Sequence, residues 1–175
     1  MKISLNDVMV DIETLGTSPR AVITAIGACS MADPEHTFMV TVDTNCSQNS
    51  IREQAPETIA WWKTQPPELF EKMTSGKTPL RTALLQLNGW LARFGTTETR
   101  KIWGNGAAFD PVILDNAYRQ CNVIVPWSFR NVRCARTIFA EFKQLDPKLK
   151  PITPHDPVAD AVAQAMRIQA IYNAL

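Results

Sequence analysis

The sequence predicts an α/β domain with a mixed five-stranded sheet and helices on both faces. Alternating or continuous apolar segments, rich in β-branched residues, predict strands at 8–14, 21–31, 37–42, 100–103 and 132–135. The first three follow one another through short turns, which favours antiparallel pairing, whereas the last two follow helical segments, which favours parallel pairing. Amphipathic segments between and after the strands predict the helices that cover the sheet.

The helical segments are marked by their starts as well as by their periodicity. Thr78 and Asp156 each precede a proline, which is the arrangement of an N-cap followed by the first helical residue. After Pro79, leucines recur at spacings of three and four residues and form an apolar face. The predicted helices cover residues 56–65, 79–94, 110–121, 136–142 and 157–172.

The first predicted helix carries the adjacent residues Trp61 and Trp62. Adjacent tryptophans are most often anchors of a hydrophobic core, because their burial removes a large apolar area from water. Base stacking and a dimer contact are the two alternatives, since tryptophan is also enriched at interfaces. The sequence therefore predicts a core role for this pair and leaves the alternatives open.

The composition is that of an ordinary globular protein, with 45% hydrophobic and 20% charged residues among 175. This length suits one domain over residues 1–175, and no repeat or linker divides it. The net charge of +1 excludes a strongly basic nucleic-acid coat. The four cysteines are not spaced as zinc ligands, which predicts free thiols in a reducing compartment. We expect a cytoplasmic location and no membrane contact, because no leader precedes the first strand and no run is long enough to span a bilayer.

The first strand carries two acidic residues, Asp11 and Glu13, within the alternating segment 8–14. Side chains two residues apart project from the same face of a strand, so the two carboxylates would lie side by side. Adjacent carboxylates repel each other, and their burial is unfavourable unless a cation lies between them. Hard divalent cations such as Mg²⁺ and Mn²⁺ take ligands of this kind. A half-exposed strand with a solvated acidic face is the alternative interpretation.

Two later segments complete a set of three motifs. One is a glycine-rich turn with the pattern Asn-Gly-x-x-Phe-Asp at residues 105–110, and the other is His-x-x-x-x-Asp at residues 155–160. With Asp-x-Glu in the first strand, they resemble the DEDDh branch of the DnaQ-like, ribonuclease-H-like 3′→5′ exonucleases, over nearly the whole chain. The residues that match the family's four acids and one histidine are Asp11, Glu13, Asp110, His155 and Asp160.

Further details resemble one phage and bacterial subgroup, the exodeoxyribonuclease VIII-like enzymes and 3′→5′ exoribonucleases. These details are Ile-Thr-Ala-Ile-Gly-Ala at 23–28, the tryptophan pair and Trp-Gly-Asn-Gly at 103–106. The resemblance implies a ribonuclease-H-like sheet and a bacterial or phage-infected cell. Two positions depart from it. Cys134-Ala135 stands where many relatives have an Asp before an Arg-Thr pair, and Asp156-Pro157 stands where relatives often have Ala or Asn after the motif histidine.

The resemblance implies a two-metal mechanism with Mg²⁺ or Mn²⁺. Two ions about 3.5–4 Å apart stabilise the charge on the attacking and leaving oxygens of an in-line displacement. Asp11 would bridge both ions. Glu13 and Asp160 would complete one, and Asp110 would hold the second, directly or through water. His155 would act as the general base, since an imidazole exchanges protons near neutral pH.

The resemblance also implies substrate contacts. In similar enzymes the residues that follow the metal carboxylates meet the terminal nucleotide, and here they are Thr14 and Leu15. Asn105 and Phe109 would shape the channel for the strand, although Phe109 is equally consistent with a core position. Residues 129–150 contain six basic and two acidic residues, and this net charge of +4 either holds phosphates or forms a solvated surface.

The sequence thus predicts a metal-dependent 3′→5′ exonuclease that hydrolyses single-stranded DNA or RNA to nucleoside 5′-monophosphates. A homodimer is expected, because many relatives are homodimers. The alternatives are a ribonuclease-H-like endonuclease and a non-catalytic nucleic-acid-binding module on the same fold. The spacing of His155 and Asp160 favours the exonuclease, and the presence of all five candidate residues argues against the binding module. No motif distinguishes DNA from RNA, since that choice depends on contacts to the 2′-hydroxyl.

Overall fold

In the computed structural model, which describes residues 2–175, five strands form one mixed sheet. The strands are β1 (Asp7–Thr14), β2 (Ile23–Ser30), β3 (Thr37–Thr41), β4 (Lys101–Gly104) and β5 (Val132–Cys134). The helices are α1 (Pro56–Trp62), α2 (Pro67–Thr74), α3 (Leu80–Leu91), α4 (Asp110–Gln120), α5 (Ala135–Glu141) and α6 (Pro157–Ala174). A short 3₁₀ helix, Phe129–Asn131, precedes β5.

The strands lie in the order β3-β2-β1-β4-β5 across the sheet. β1 pairs antiparallel with β2, and β2 pairs antiparallel with β3. β1 pairs parallel with β4, and β4 pairs parallel with β5, because helical segments cross over between these strands. The predicted mixed sheet, with three antiparallel strands followed by shorter parallel ones, is therefore confirmed. β1 occupies its centre.

The alternation along β1 divides its side chains between two cores. Val8, Val10 and Ile12 belong to the core formed with α3 and α4. Met9 belongs to a second core on the opposite face, beneath α5 and α6. Helices therefore cover both faces, as predicted. Because Asp11 and Glu13 continue the face of Met9, they project toward α6.

Residues 67–74 form α2, a helix that the sequence pattern did not predict. Its apolar edge is narrow and consists of Leu69 and Met73, one turn apart, which pack in a buried cluster with Trp62. Two prolines at its start interrupt the periodicity, although Pro67 occupies the first helical position, where proline is well tolerated. The helix forms because this edge is buried against the end of the sheet.

The predicted N-cap at Thr78 is wrong. α3 begins at Leu80, its N-cap is Pro79, and no side-chain hydrogen bond caps it. Thr78 stays extended because it forms an isolated parallel bridge with Val42. Its carbonyl also accepts the N–H of Asp43 at 2.8 Å. Strand-like pairing at this point therefore replaces the capping role that the local sequence favours.

The predicted core role of the tryptophan pair is confirmed for Trp62 only. Trp62 is 1% exposed, and its Nε1 donates to the carbonyl of Thr14 at 2.9 Å. Trp61 is 41% exposed and lies at the surface of α1. The two rings meet edge to face with their centroids 5.1 Å apart. α1 is thus anchored by one tryptophan and presents the other to the molecular surface.

The four cysteines are free thiols, as predicted. Cys29 and Cys121 are buried, whereas Cys46 and Cys134 are half-buried. Within residues 2–175, no helix combines the length and the apolar character needed to cross a bilayer.

Candidate active site

Asp11 and Glu13 lie near the end of β1 and share one face of the strand. Gly27 and Ala25 stand opposite them on β2. The pairing register shifts between Glu13 and Thr14, which marks a bulge or irregularity directly after the second carboxylate. Because such an irregularity twists a strand and redirects its side chains, the carboxylates are presented where β1 leaves the regular sheet.

α6 reaches this edge because Gly27 has no side chain. A Cβ atom at Gly27 would lie 2.3 Å from the carbonyl carbon of Pro157 and 2.6 Å from the nitrogen of Val158. The first turn of α6 therefore rests on the backbone of β2, directly across from Asp11. The motif at residues 23–28 contains Gly27 but does not reveal why glycine is required, because the requirement comes from a helix at the other end of the chain.

Replacing Gly27 with alanine is expected to destabilise the protein by about 3 kcal/mol, since the new methyl group would collide with backbone atoms that cannot rotate away. Displacement of α6 should also lower the nuclease activity that the motif resemblance implies, because α6 carries Asp160. Chemical denaturation and a cleavage assay measure the two effects. Gly89→Ala on α3 is the matched control, because a Cβ there meets nothing within 4 Å. Equal stability of the two variants would contradict this explanation.

α6 brings two polar side chains to the carboxylates of β1. Asp160 and Gln164 are four residues apart and therefore share a helix face. Gln164 Nε2 donates to Asp11 Oδ1 at 2.8 Å. Gln164 Oε1 is buried and has no hydrogen-bond partner among residues 2–175. Sequence reasoning missed Gln164, although its position one turn after Asp160 was a usable signal.

Asp110 enters the site from the first turn of α4 and is 2% exposed. Its Oδ1 accepts the backbone N–H of Ile12 at 3.1 Å, and its Oδ2 accepts that of Asn105 at 3.2 Å. β4 ends at Gly104, before it reaches Ile12, so Asp110 supplies the acceptor that the shorter strand does not. Gly104 permits this approach, because a Cβ there would lie 2.9 Å from Asp110 Oδ2.

His155 lies two residues before α6, with a left-handed φ of 62°. Its backbone N–H donates to Asp160 Oδ2 at 2.8 Å. Its ring meets Trp61 edge to face, with 4.8 Å between the ring centroids. One ring nitrogen of His155 and one carboxylate oxygen each from Glu13 and Asp160 all lie within 4.8 Å of one another. The fold therefore brings the first and third motifs together.

The site gathers four carboxyl groups in a buried place. Burial, and next the charges of Asp110 and Glu13, raise the pKa of Asp11 well above its ordinary value. Burial, and next the charge of Asp160, raise the pKa of Glu13 from 4.5 to about 9. Burial also raises the pKa of Asp110 to about 6 and raises the pKa of Asp160. Each raised pKa means that the carboxylate anion is disfavoured in the metal-free protein.

The donor set fits a hard divalent cation. Carboxylate oxygens are the ligands that Mg²⁺ and Mn²⁺ prefer. Within the described part of the chain, no lysine or arginine forms an ion pair with Asp11, Glu13, Asp110 or Asp160. The unpartnered amide oxygen of Gln164 adds a further polar acceptor beside them. A bound cation would supply the positive charge that no lysine or arginine of the described chain provides to these four acids through an ion pair.

The metal-free protein is expected to lose stability as the pH rises from about 5 to 9. Between the ordinary pKa of 4.5 and the folded-state pKa of about 9, the folded protein keeps the proton on Glu13 and the unfolded chain has released it. Raising the pH through this window therefore favours unfolding. Melting temperatures measured in EDTA at several pH values test this directly.

Added Mn²⁺ should raise the melting temperature more at pH 8 than at pH 5, because protons compete with the cation for the same oxygens. Glu13→Gln is the control for the pH dependence of stability in the metal-free protein, since an amide does not titrate. A metal-free stability that rises with pH over this window would contradict the burial of these carboxylates.

A pocket of about 340 Å³ opens beside Glu13. Two of the predicted substrate-binding residues, Thr14 and Phe109, line it, together with Trp61. Glu57 and Thr58 also line it. Sequence reasoning missed these two, although they precede Trp61 by one helical turn and therefore share its face.

The other two predicted substrate-binding residues are placed differently. Leu15 is 6% exposed and packs in a buried cluster with Trp62 and Val22. Its side chain therefore contributes to the core and does not line the pocket. Asn105 meets the site through its backbone N–H, which holds Asp110.

The five-stranded mixed sheet, with acidic side chains from three motifs meeting near the end of β1, has the ribonuclease-H-like fold of known nucleases. Residues 6–172 match the family model of the Rv2179c-like 3′-5′ exoribonuclease domain, and the chain belongs to that family. The match includes the strand with Asp11 and the helix with Asp160. No curated protein sequence matches the chain significantly.

Three solved structures share the fold. The nuclease domain of 3′hExo, a DEDDh family member bound to rAMP, has a TM-score of 0.63 at 12% identity over 96% of this chain and 92% of that chain. S. pombe Pop2p, in an Mg²⁺- and Mn²⁺-bound form, has a TM-score of 0.61 at 15% identity over 96% and 83%. Cell-death related nuclease 4 (CRN-4) has a TM-score of 0.59 at 14% identity over 96% and 64%, so the chain spans less than two thirds of CRN-4.

Proposed function

We propose that the protein removes nucleotides stepwise from the 3′ end of single-stranded nucleic acid and releases nucleoside 5′-monophosphates. The observation that carries this proposal is the approach of Glu13, His155 and Asp160, whose ligand atoms lie within 4.8 Å of one another. Asp11 and Asp110 belong to the same group, because the charge of Asp110 raises the pKa values of both Asp11 and Glu13. The exoribonuclease family supports RNA as a substrate.

Asp11, Glu13, Asp110 and Asp160 would hold two divalent cations, Mg²⁺ or Mn²⁺. When bound, such ions stabilise the charge that develops on the attacking and leaving oxygens. The Mg²⁺- and Mn²⁺-bound form of S. pombe Pop2p, which has the same fold, supports this assignment. Gln164 orients Asp11 through the hydrogen bond to its Oδ1.

His155 would take a proton from the attacking water at a ring nitrogen. The water oxygen then bonds to phosphorus as the bond between phosphorus and O3′ of the preceding nucleotide breaks, and the departing O3′ takes a proton from solvent water. The products are a nucleoside 5′-monophosphate and a shortened strand with a new 3′-hydroxyl. Trp61 restrains the imidazole ring and Asp160 restrains its backbone, so the ring is held beside Glu13.

The pocket beside Glu13 would receive the 3′-terminal nucleoside. Trp61 and Phe109 offer apolar ring surface to a base, and Thr14 and Glu13 line the same pocket. Phe109 also lines a neighbouring groove of about 540 Å³ that contains the exposed Arg136. Arg136 belongs to the basic segment 129–150, and its place in this groove supports phosphate binding along the upstream strand.

A single digestion experiment tests the proposal. Matched DNA and RNA oligomers, labelled at either end, are incubated with the protein and Mn²⁺ or Mg²⁺. Stepwise shortening from the 3′ end, loss of cleavage in EDTA and release of 5′-monophosphates are the expected results. A substrate blocked by a 3′-phosphate should resist, whereas an endonuclease would still cut it. Internal fragments or metal-independent cleavage would overturn the proposal.

We also propose a homodimer in the cytoplasm of a bacterial or phage-infected cell. The homodimer is implied by the resemblance to related exonucleases, and sedimentation equilibrium measures it directly. The four free thiols support a reducing compartment. Cell fractionation with an antibody against the protein tests the location.

A further inference from the structure

The backbone around His155 is restrained at few points. Its left-handed φ of 62° is uncommon for a residue with a side chain and persists only where the surroundings enforce it. Ile152, Thr153 and Pro154, which precede it, are exposed, and Ile152 is fully so. The segment before His155 therefore offers little packing, and the position of the imidazole depends on contacts at His155 itself and at the next residue.

That next residue, Asp156, uses both carboxylate oxygens. Its Oδ1 accepts the backbone N–H groups of Val158 and Ala159 at 3.1 and 3.2 Å, which caps α6. Its Oδ2 accepts from Lys72 Nζ at 2.8 Å. One oxygen thus fixes Asp156 to its own helix, and the other ties it to α2.

Lys72 projects from a helix that is well anchored. α2 buries Leu69 and Met73 in the cluster around Trp62. Between α2 and the His155 segment lies an open pocket of about 380 Å³, lined by Lys72, Thr153, Pro154 and His155 among others. The ion pair therefore spans a cleft that side chains do not fill, and it is a direct connection between α2 and the residue beside His155.

We propose that Lys72 is a positioning residue for the general base and acts through Asp156. This inference rests on the proposed role of His155. The ion pair fixes the end of the segment that carries the imidazole, and the Trp61 contact fixes the ring. A small displacement of a reacting group costs up to about a hundredfold in rate. A half-exposed ion pair contributes little to overall stability, so its loss should act on catalysis more than on folding.

Lys72→Met is expected to lower kcat about tenfold and to leave KM within about twofold of wild type. Hydrogen–deuterium exchange of the peptide covering residues 150–156 should become faster. Lys72→Arg should restore kcat, because arginine can donate to the same oxygen. A rise in KM with unchanged kcat would overturn the proposal, since it would mean that Lys72 binds the nucleic acid directly.

Asp156→Asn separates the two roles of Asp156, because asparagine caps a helix about as well as aspartate and carries no charge. It should lower kcat as much as Lys72→Met, and the double variant should show no further loss. Losses that multiply in the double variant would overturn the proposal. Lys63→Met is the matched control, since Lys63 lies between α1 and α2 and forms no ion pair within residues 2–175. An equal loss in this control would also overturn it.

His155→Ala in the same assay distinguishes the general-base role of His155 from the positioning role of Lys72. If His155→Ala keeps wild-type turnover, the proposed general base is wrong. If His155→Ala is severely impaired while Lys72→Met keeps kcat within twofold of wild type, only the positioning role of Lys72 is wrong.

Discussion

Asp11→Ala is expected to lower kcat by at least about 10³-fold and to remove most Mn²⁺ binding. Asp11 stands at the centre of the acidic group, because the charges of Asp110, Glu13 and Asp160 all act on its carboxyl group. Removal of its carboxylate therefore takes a ligand from the place where a shared cation would lie.

Isothermal calorimetry with Mn²⁺ and a cleavage assay measure the two effects of Asp11→Ala. Asp115→Ala is the matched control, since Asp115 forms an exposed ion pair with Arg119 on α4, away from the site. The control should bind Mn²⁺ and cleave like wild type. Unchanged Mn²⁺ binding in Asp11→Ala would contradict a bridging position for this carboxylate, and circular dichroism checks that the variant is folded.

The features of the site that could be predicted from the residues themselves depend on positions close together in the sequence. The alternation along β1 places Asp11 and Glu13 on one face, because strand geometry has a period of two. The start of α6 is equally local, since Asp156 accepts from two backbone N–H groups in the first turn. The meeting of Asp110 and Asp160 with β1 depends on contacts between distant segments, and only the resemblance to a family predicted it.

The residues that sequence reasoning missed are also those whose roles arise from distant contacts. Gly27 inside a strand has no local reason to be glycine; its reason is the backbone of α6. Lys72 belongs to a helix that the periodicity did not reveal, and its partner Asp156 lies near the other end of the chain. Gln164 could have been predicted from the sequence, because a residue one helical turn after Asp160 must share its face.

His155→Ala is expected to lower kcat by about 10²–10⁴-fold, the usual contribution of general acid–base catalysis. A cleavage assay that compares wild type and His155→Ala measures this loss. Turnover within threefold of wild type would refute the general-base role.

The position of His155 also allows a different role, and Mn²⁺ binding separates the two. A ring nitrogen lies within 4.8 Å of the carboxylate oxygens of Glu13 and Asp160, and imidazole nitrogen is a common ligand of transition metals. A general base leaves the four carboxylates in place, so His155→Ala should bind Mn²⁺ nearly as tightly as wild type. A large loss of Mn²⁺ affinity would make His155 a metal ligand. The proton would then have to leave through another group, because the remaining acids must stay ionised to hold the ions.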